Sequence, residues 1–301
     1  MRILVSGASG LVGQALLPAL RAEGHAVVRM VRPGGKGSAG DVAWDPRSAL
    51  VDASAMEGAD AIVHLSGASV AAGRWSRGRK AVLRTSRVGS TRVLVDALSQ
   101  LRRKPRVLVS ASAVGYYGDR GSEILTEASP AGTGFLALLS RDWEAEAARA
   151  QLSGIRTVML RFGVILSARG GALSRMLLPF RFGVGGRFGN GRQWMSWITL
   201  EDSVGIIRAA LSDERLTGPV NAVSPNPLQN AEFTHIVASA LKRPAIFPAP
   251  AFALRLLLGE MADALLLASQ RVQPTHLLAL HYPFRSDTFA PALRALLNVP
   301  A

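Results

Sequence analysis

A doubly wound α/β domain on a parallel sheet, followed by a smaller and mainly helical C-terminal domain, is the fold class this sequence predicts. Three observations lead there. Short apolar runs of strand length alternate with helix-length segments through the first half of the chain. Those runs are continuously apolar, as in strands covered on both faces. A glycine triplet also stands between the first run and the first helix. The 301 residues, 49% of them hydrophobic, suffice for one large domain or two modest ones with full cores.

Each element follows in turn. Arg2-Ile-Leu-Val-Ser6 is too short for the apolar region of a signal peptide and reads as the first strand. Leu11 to Glu23 follows with apolar residues at helical spacing, and His25 to Val31 is the second strand. Ala61 to Leu65, Val107 to Ser110 and Thr157 to Phe162 are three more strands, separated by helical stretches at roughly Arg77 to Arg103 and Phe135 to Leu152. After residue 163 the rhythm changes. Leu200 to Leu211 reads as a helix opened by Glu201 and Asp202, and Val220 to Val223 is expected to return a strand to the first domain. From Asn226 onward the pattern is helical, with proline-rich joints at 244 to 250. The expected division is a dinucleotide-binding domain over 1-165, rejoined by 200-224, and a substrate-side and C-terminal helical domain over 166-301.

Composition excludes several classes. With no cysteine, disulfide scaffolds, thiolate metal sites and catalytic thiols are ruled out. The five histidines are scattered without zinc spacing, so no metal site is expected. The most apolar stretch, Ala249 to Ala268, is interrupted by Arg255, Glu260 and Asp263, and predicts a buried or amphipathic helix rather than a membrane span. A cytoplasmic protein without membrane contact is the expectation. The net charge of +14 comes almost wholly from arginine, spread along the chain without a nucleic-acid-binding signature. It argues for a basic surface with some arginines meeting an anionic cofactor, and against a nucleic-acid partner. Oligomeric state is not legible.

Gly7-Ala-Ser9-Gly10-Leu11-Val12-Gly13 carries the strongest chemical signal. The first glycine makes the strand-to-helix turn, the second lets a pyrophosphate approach the backbone, and the third packs helix on strand. The helix N-terminus then offers free N–H groups to the phosphates. In such Rossmann folds the end of the second strand separates the cofactors. An acid there suits the ribose of NAD, and an arginine suits the 2′-phosphate of NADP. Here Arg29-Met-Val31 holds no acid and Arg32 follows, which favours NADP over NAD.

Together with the strand-end run His64-Leu-Ser-Gly-Ala68 and Ser110-Ala-Ser112-Ala-Val-Gly-Tyr-Tyr-Gly118, this loop resembles the extended short-chain dehydrogenase/reductase superfamily. More narrowly, the chain is similar to its atypical YfcH-like branch, the NAD-dependent epimerase/dehydratase or cell-division-inhibitor-like proteins with a short C-terminal domain. Arg74-Trp75, Ser86-Arg87-Val88, Asp142-Trp143-Glu144, Arg161-Phe-Gly163, Gly189 to Ile198, Asn221 to Asn226, Gly259-Glu-Met261 and Tyr282-Pro-Phe284 carry that likeness. The resemblance implies that Leu65, Gly67, Ala68, Ser110 and Arg161 accompany the glycine loop and Arg32 along the cofactor, with Ser112 as the catalytic serine. The superfamily's Tyr with Lys four residues later is absent. Tyr116, Tyr117 and Tyr282 are followed at that distance by Arg120, Gly121 and Ser286, and counting back from Glu144 puts Leu136 and Ser140 in those two places.

Tyr116 or Tyr117, in the loop after Ser112, is left as a substitute proton donor or as a wall of the nicotinamide pocket. His64 reads as a packed strand-end histidine before an acid/base group. Arg74, Trp75 and Lys80 are equally readable as substrate-facing or as a solvated helix entry. Residues 183 to 191 hold five glycines. With Arg187, Arg192 and Trp194, that segment is expected to form a mobile, substrate-binding flap over an anionic small molecule, the alternative being a structural loop with core tryptophans. Two functions stay open: an NADP-binding epimerase/dehydratase-like or oxidoreductase-like enzyme, or a non-catalytic NADP-binding sensor.

Overall fold

The computed structural model describes residues 1–32, 40–46, 48 and 50–298. The first half runs β1 (Arg2–Ser6), α1 (Leu11–Ala22), β2 (Ala26–Val31), β3 (Val42–Asp45), β4 (Leu50–Val51), α2 (Ala53–Met56), β5 (Ala61–His64), α3 (Arg77–Arg84), a wide π-type turn (Thr85–Gly89), α4 (Ser90–Gln100), β6 (Val107–Ala113), β7 (Ile124–Leu125), α5 (Phe135–Ala148) and β8 (Arg156–Phe162). There follow β9 (Val164–Leu166), α6 (Ala172–Arg181), β10 (Trp194–Met195), β11 (Trp197–Thr199), α7 (Leu200–Ser212), β12 (Gly218–Ala222), β13 (Leu228–Gln229), α8 (Asn230–Leu241), α9 (Ala251–Leu258), α10 (Glu260–Ala262), β14 (Arg271–Val272), α11 (Thr275–Ala279) and α12 (Phe289–Leu297).

Eight strands lie in the order β12-β8-β6-β5-β1-β2-β3-β4. The first seven are parallel, and β4 closes the edge antiparallel to β3. The sequence reading did not include β3 and β4. They are two to four residues long, too short for their apolar residues to stand out as strand-length runs. Successive residues of β1 point to opposite faces. Ile3 and Val5 enter a core with Leu16 and Leu20 of α1 and Ile206 and Ile207 of α7, while Leu4 joins Met56, Leu94 and Leu98 on the other side. Burial on both faces is what made these strands read as unbroken apolar runs. The chain order reverses beside β1, between β2 on one side and β5 on the other. A doubly wound sheet opens a ligand crevice at that point, outside the carboxyl ends of its strands.

The later residues build a second core around Leu173, Leu177, Trp197, Phe233 and Phe289. They are not wholly apart from the first, since Leu277 packs into the α1/α7 core. The stretch from Ala249 to Ala268 differs from its expectation. It breaks at Gly259, whose φ is +62°, and α9 buries none of its residues, leaving Phe252, Leu256 and Leu257 exposed. Among the described residues no helix is long and apolar enough to cross a membrane.

Candidate active site

The glycine loop takes a shape that side chains cannot. Gly7 has φ +70°, and a Cβ on Gly13 would stand 2.5 Å from the Gly7 carbonyl oxygen. A Cβ on Gly10 would meet only that same oxygen, at 3.2 Å, and would otherwise project into open space. Gly10 caps α1 without any side-chain hydrogen bond, so the first N–H groups of the helix stay free.

These glycines line a cavity of about 590 Å³ at the carboxyl ends of the central strands. Leu11 and Val12 continue its wall from α1, Leu65 and Gly67 from the loop after β5, Ser112 from β6 and Gly115 from the turn after it, and Leu136 and Ser140 from α5. The sequence places of the missing Tyr and Lys therefore do face the cavity, but they present a leucine and a buried serine.

Ser112 is 3% exposed, and its hydroxyl donates to Glu144 Oε1 at 2.5 Å. Glu144 is held in turn by Arg161, whose Nε and Nη2 each donate to it at 2.8 Å. Burial pulls the Arg161 pKa down, but bonding and charge from Glu144 outweigh it and hold the guanidinium above its ordinary value. Arg161 Nη1 also donates to the Tyr117 phenol oxygen at 2.8 Å, and that oxygen lies 2.7 Å from Asn221 Oδ1 on β12. Burial pushes the Tyr117 phenol up to about 12, so it stays protonated. A hydroxyl that gives its proton to a carboxylate turns its lone pairs outward. Ser112 is thus built to accept a hydrogen bond from a ligand rather than to donate one.

Several expected site residues stand elsewhere. Arg161 does not line the cavity, because its guanidinium is committed to Glu144. Tyr116 is not in the lining either; its ring lies under the Arg161 guanidinium at 3.6 Å and edge-on to Tyr117. Ser110 is fully buried inside β6. Ser9 and Arg32 are exposed outside the enclosed part, and Ala68 turns its N–H to Ser86 Oγ. His64 is completely buried, 2.7 Å from Ser6 Oγ through Nδ1, and burial lowers its pKa to about 4. It is a neutral packing group. Trp75 packs on Phe135, and Lys80 pairs with Glu260.

The residues of the glycine-rich segment do not all stand at one place. Arg187 is exposed and lines no part of the cavity, while Arg192 and Trp194 border a second cavity with Asp119 and Ser269. Two of its five glycines serve close packing, while Gly183, Gly189 and Gly191 take positive φ. A Cβ on Gly185 would meet the Phe180 ring at 2.5 Å, and one on Gly186 would overlap the Phe247 carbonyl. Phe188 N–H donates to Asn230, and Gly189 N–H to Ala249.

Within Ser86-Arg87-Val88 the sequence alone gives Arg87 no role. It lines the cavity from the π-type turn, with its Cζ 5.3 Å from the Trp143 ring centroid. Its Nη1 is buried without a hydrogen-bond partner among the described residues. The sequence likewise gives no local signal for Glu144, which meets Ser112 only in the fold.

Residues 3–222 match the model of the NAD dependent epimerase/dehydratase family, and residues 249–296 match a domain of unknown function, DUF1731. An epimerase family protein of Mycobacterium leprae, ML0860, is 42% identical over 97% of this chain and 94% of its own length. The crystal structure of human epimerase family protein SDR39U1 (isoform 2) with NADPH is similar over 99% of both chains, at 33% identity and a TM-score of 0.89. A nucleoside-diphosphate sugar epimerase from Corynebacterium glutamicum matches over 99% of this chain and 58% of its own, at 37% identity and a TM-score of 0.82.

Proposed function

Because the chain belongs to the NAD dependent epimerase/dehydratase family, we propose that it is an NADP(H)-dependent oxidoreductase or epimerase acting at a hydroxyl-bearing carbon of an anionic small molecule. The observation that carries this reading is the Ser112–Glu144 contact, set in a cavity that the glycine loop also lines. The loop fits a dinucleotide: its turn excludes side chains at Gly7 and Gly13, and the uncapped start of α1 leaves N–H groups for a pyrophosphate. Arg32, exposed after a strand without an acid, supports the 2′-phosphate form, as does the NADPH in the human relative.

When bound, the nicotinamide gives or takes a hydride. Ser112 accepts the hydrogen bond of the substrate hydroxyl, because its own proton points to Glu144. Arg161 holds Glu144 in place through two hydrogen bonds. Leu136, Leu139 and Val70 wall the site with apolar surface and limit the access of water to the reacting carbon. With Leu136 in place of a phenol, the hydroxyl proton passes to Ser112 Oγ as Ser112 gives its own proton to Glu144 Oε1, without a tyrosine relay.

Calorimetric titration with NADPH and NADH tests the cofactor, and absorbance of the reduced nicotinamide during incubation with hydroxy acids and sugar nucleotides tests the reaction. Tight NADPH binding with no turnover of any hydroxy compound would favour the second reading, a non-catalytic NADP-binding sensor. Leu136 is the specific observation on that side, since it can neither give nor take a proton.

A further inference from the structure

The eight residues of α9 are apolar apart from Arg255, yet the chain buries none of them. A helix that is apolar nearly all round belongs in an apolar surrounding, and folding has not supplied one here. Phe252 and Leu256 are 72% and 79% exposed, one turn apart on the same outer stripe, with Leu257 beside them. The patch is not confined to this helix. Ala249, just before α9, donates its N–H to Arg187 O and accepts from Gly189 N–H, both at 2.9 Å, and the Phe247 carbonyl abuts Gly186. These contacts lay the 244–250 joint against the strip that leaves α6. Ile246 and Phe247 on the joint, and Phe182 and Val184 after α6, are also more than half exposed. Single exposed leucines are ordinary on a protein surface, but large apolar side chains gathered from three adjoining segments mark a contact face.

Charge identifies what covers it. From 147 to 200 and from 233 to 259 the sequence contains no Asp or Glu, so every formally charged side chain of these segments is a cation. Arg181 and Arg187 flank the strip after α6, and Lys242 and Arg243 precede the joint. All four are exposed and have no ion pair among the described residues. The two acids that follow α9 are already neutralised, Asp263 by Arg255 and Glu260 by Lys80. A second copy of the chain is a poor occupant. A two-fold contact would set the same unpaired cations face to face, and each chain carries a net +14. A folded partner would also need pockets matched to the protruding side chains, whereas lipid gives way around them. We propose that this face seats the protein on the surface of an anionic lipid bilayer. Phe252, Leu256 and their apolar neighbours enter the boundary between headgroups and acyl chains, and the four free cations meet the lipid phosphates. The contact is peripheral, in keeping with the lack of a spanning helix among the described residues, and it departs from the sequence expectation of a protein without membrane contact.

The test is sedimentation of the full chain with vesicles of phosphatidylcholine alone and of an equal mixture of phosphatidylcholine and phosphatidylglycerol. Variants separate this docking from the general adhesion of a basic protein. Phe252→Ser/Leu256→Ser removes apolar surface and keeps the charge, with Phe182→Ser/Ile246→Ser in its place should its far-UV circular dichroism not be native. Arg181→Glu/Arg243→Glu changes the net charge at the face. Arg102→Glu/Arg103→Glu changes it equally beside Glu57, at the amino ends of the central strands. The expected result is binding of wild type to the mixed vesicles alone, weakened about tenfold or more by the apolar pair and by Arg181→Glu/Arg243→Glu. The remote pair should stay within about threefold of wild type. No binding of wild type to the mixed vesicles, equal binding by the apolar pair, or an equal loss in the remote pair would overturn the proposal. So would a wild-type dimer in sedimentation velocity that the apolar pair dissolves, since a second copy would then cover the face. Tighter binding to soluble polyglutamate than to the mixed vesicles would assign the face to an acidic protein and overturn it too.

Discussion

Ser112 is one residue whose identity the sequence supplied and whose working direction it did not. The strand-end motif marks a serine at the crevice, but its partner Glu144 is 32 residues away on another element. Only the folded contact shows that the hydroxyl is an acceptor toward a ligand. Ser112→Ala should therefore lower any turnover more than Tyr282→Phe does, since Tyr282 packs on Phe284 away from the cavity. Initial-rate kinetics on the two variants decide it, and the reverse order would place the reacting group elsewhere. Glu144→Gln strikes at stability as well, because it leaves Arg161 buried without its counter-charge. A loss on the order of 3–5 kcal/mol is expected, read from the denaturant midpoint. Arg32 belongs to this scale too. Arg32→Ala should cost NADPH about 1.5 kcal/mol or more and leave NADH unchanged, as calorimetry with both cofactors would show.

The strands and helices that were legible are those whose signals are local. Apolar runs of strand length gave β1, β2, β5, β6 and β8, and the glycine spacing gave the turn into α1. What stayed hidden depends on partners distant in the chain. The sequence places Arg161 near the end of β8 at the crevice edge, but does not show that α5 delivers a carboxylate to it. Glycine spacing around Arg187 does not distinguish freedom from close packing, and here Gly185 and Gly186 admit Phe180 and the Phe247 carbonyl. The α1 entry makes a separable prediction. Gly10→Val adds its side chain into the space before the helix, so NADPH binding should vanish while far-UV circular dichroism stays native. Normal NADPH binding by that variant would remove the loop from the cofactor site.

For the molecule as a whole, His64 ties stability to pH. Its folded pKa of about 4 lies below the ordinary 6.5, so the unfolded chain binds the extra proton first. The contribution is complete above pH 6.5 and is lost as pH falls toward 4, amounting to about 3 kcal/mol. Thermal unfolding across that interval should show the slope, and His64→Asn should flatten it. The same chain also holds a longer-range dependence. Ser112, Glu144, Arg161, Tyr117 and Asn221 form one continuous series of contacts from the crevice to β12, the outermost strand of the parallel array. In evolutionary language that series is a single locus spread over five positions. A change at Asn221 alters the setting in which a change at Ser112 is judged, and substitutions there should be tolerated in matched sets rather than one at a time. Sequence drift in such a protein would be free at surface arginines remote from the cofactor and from the α9 face, and historically contingent along this inner line.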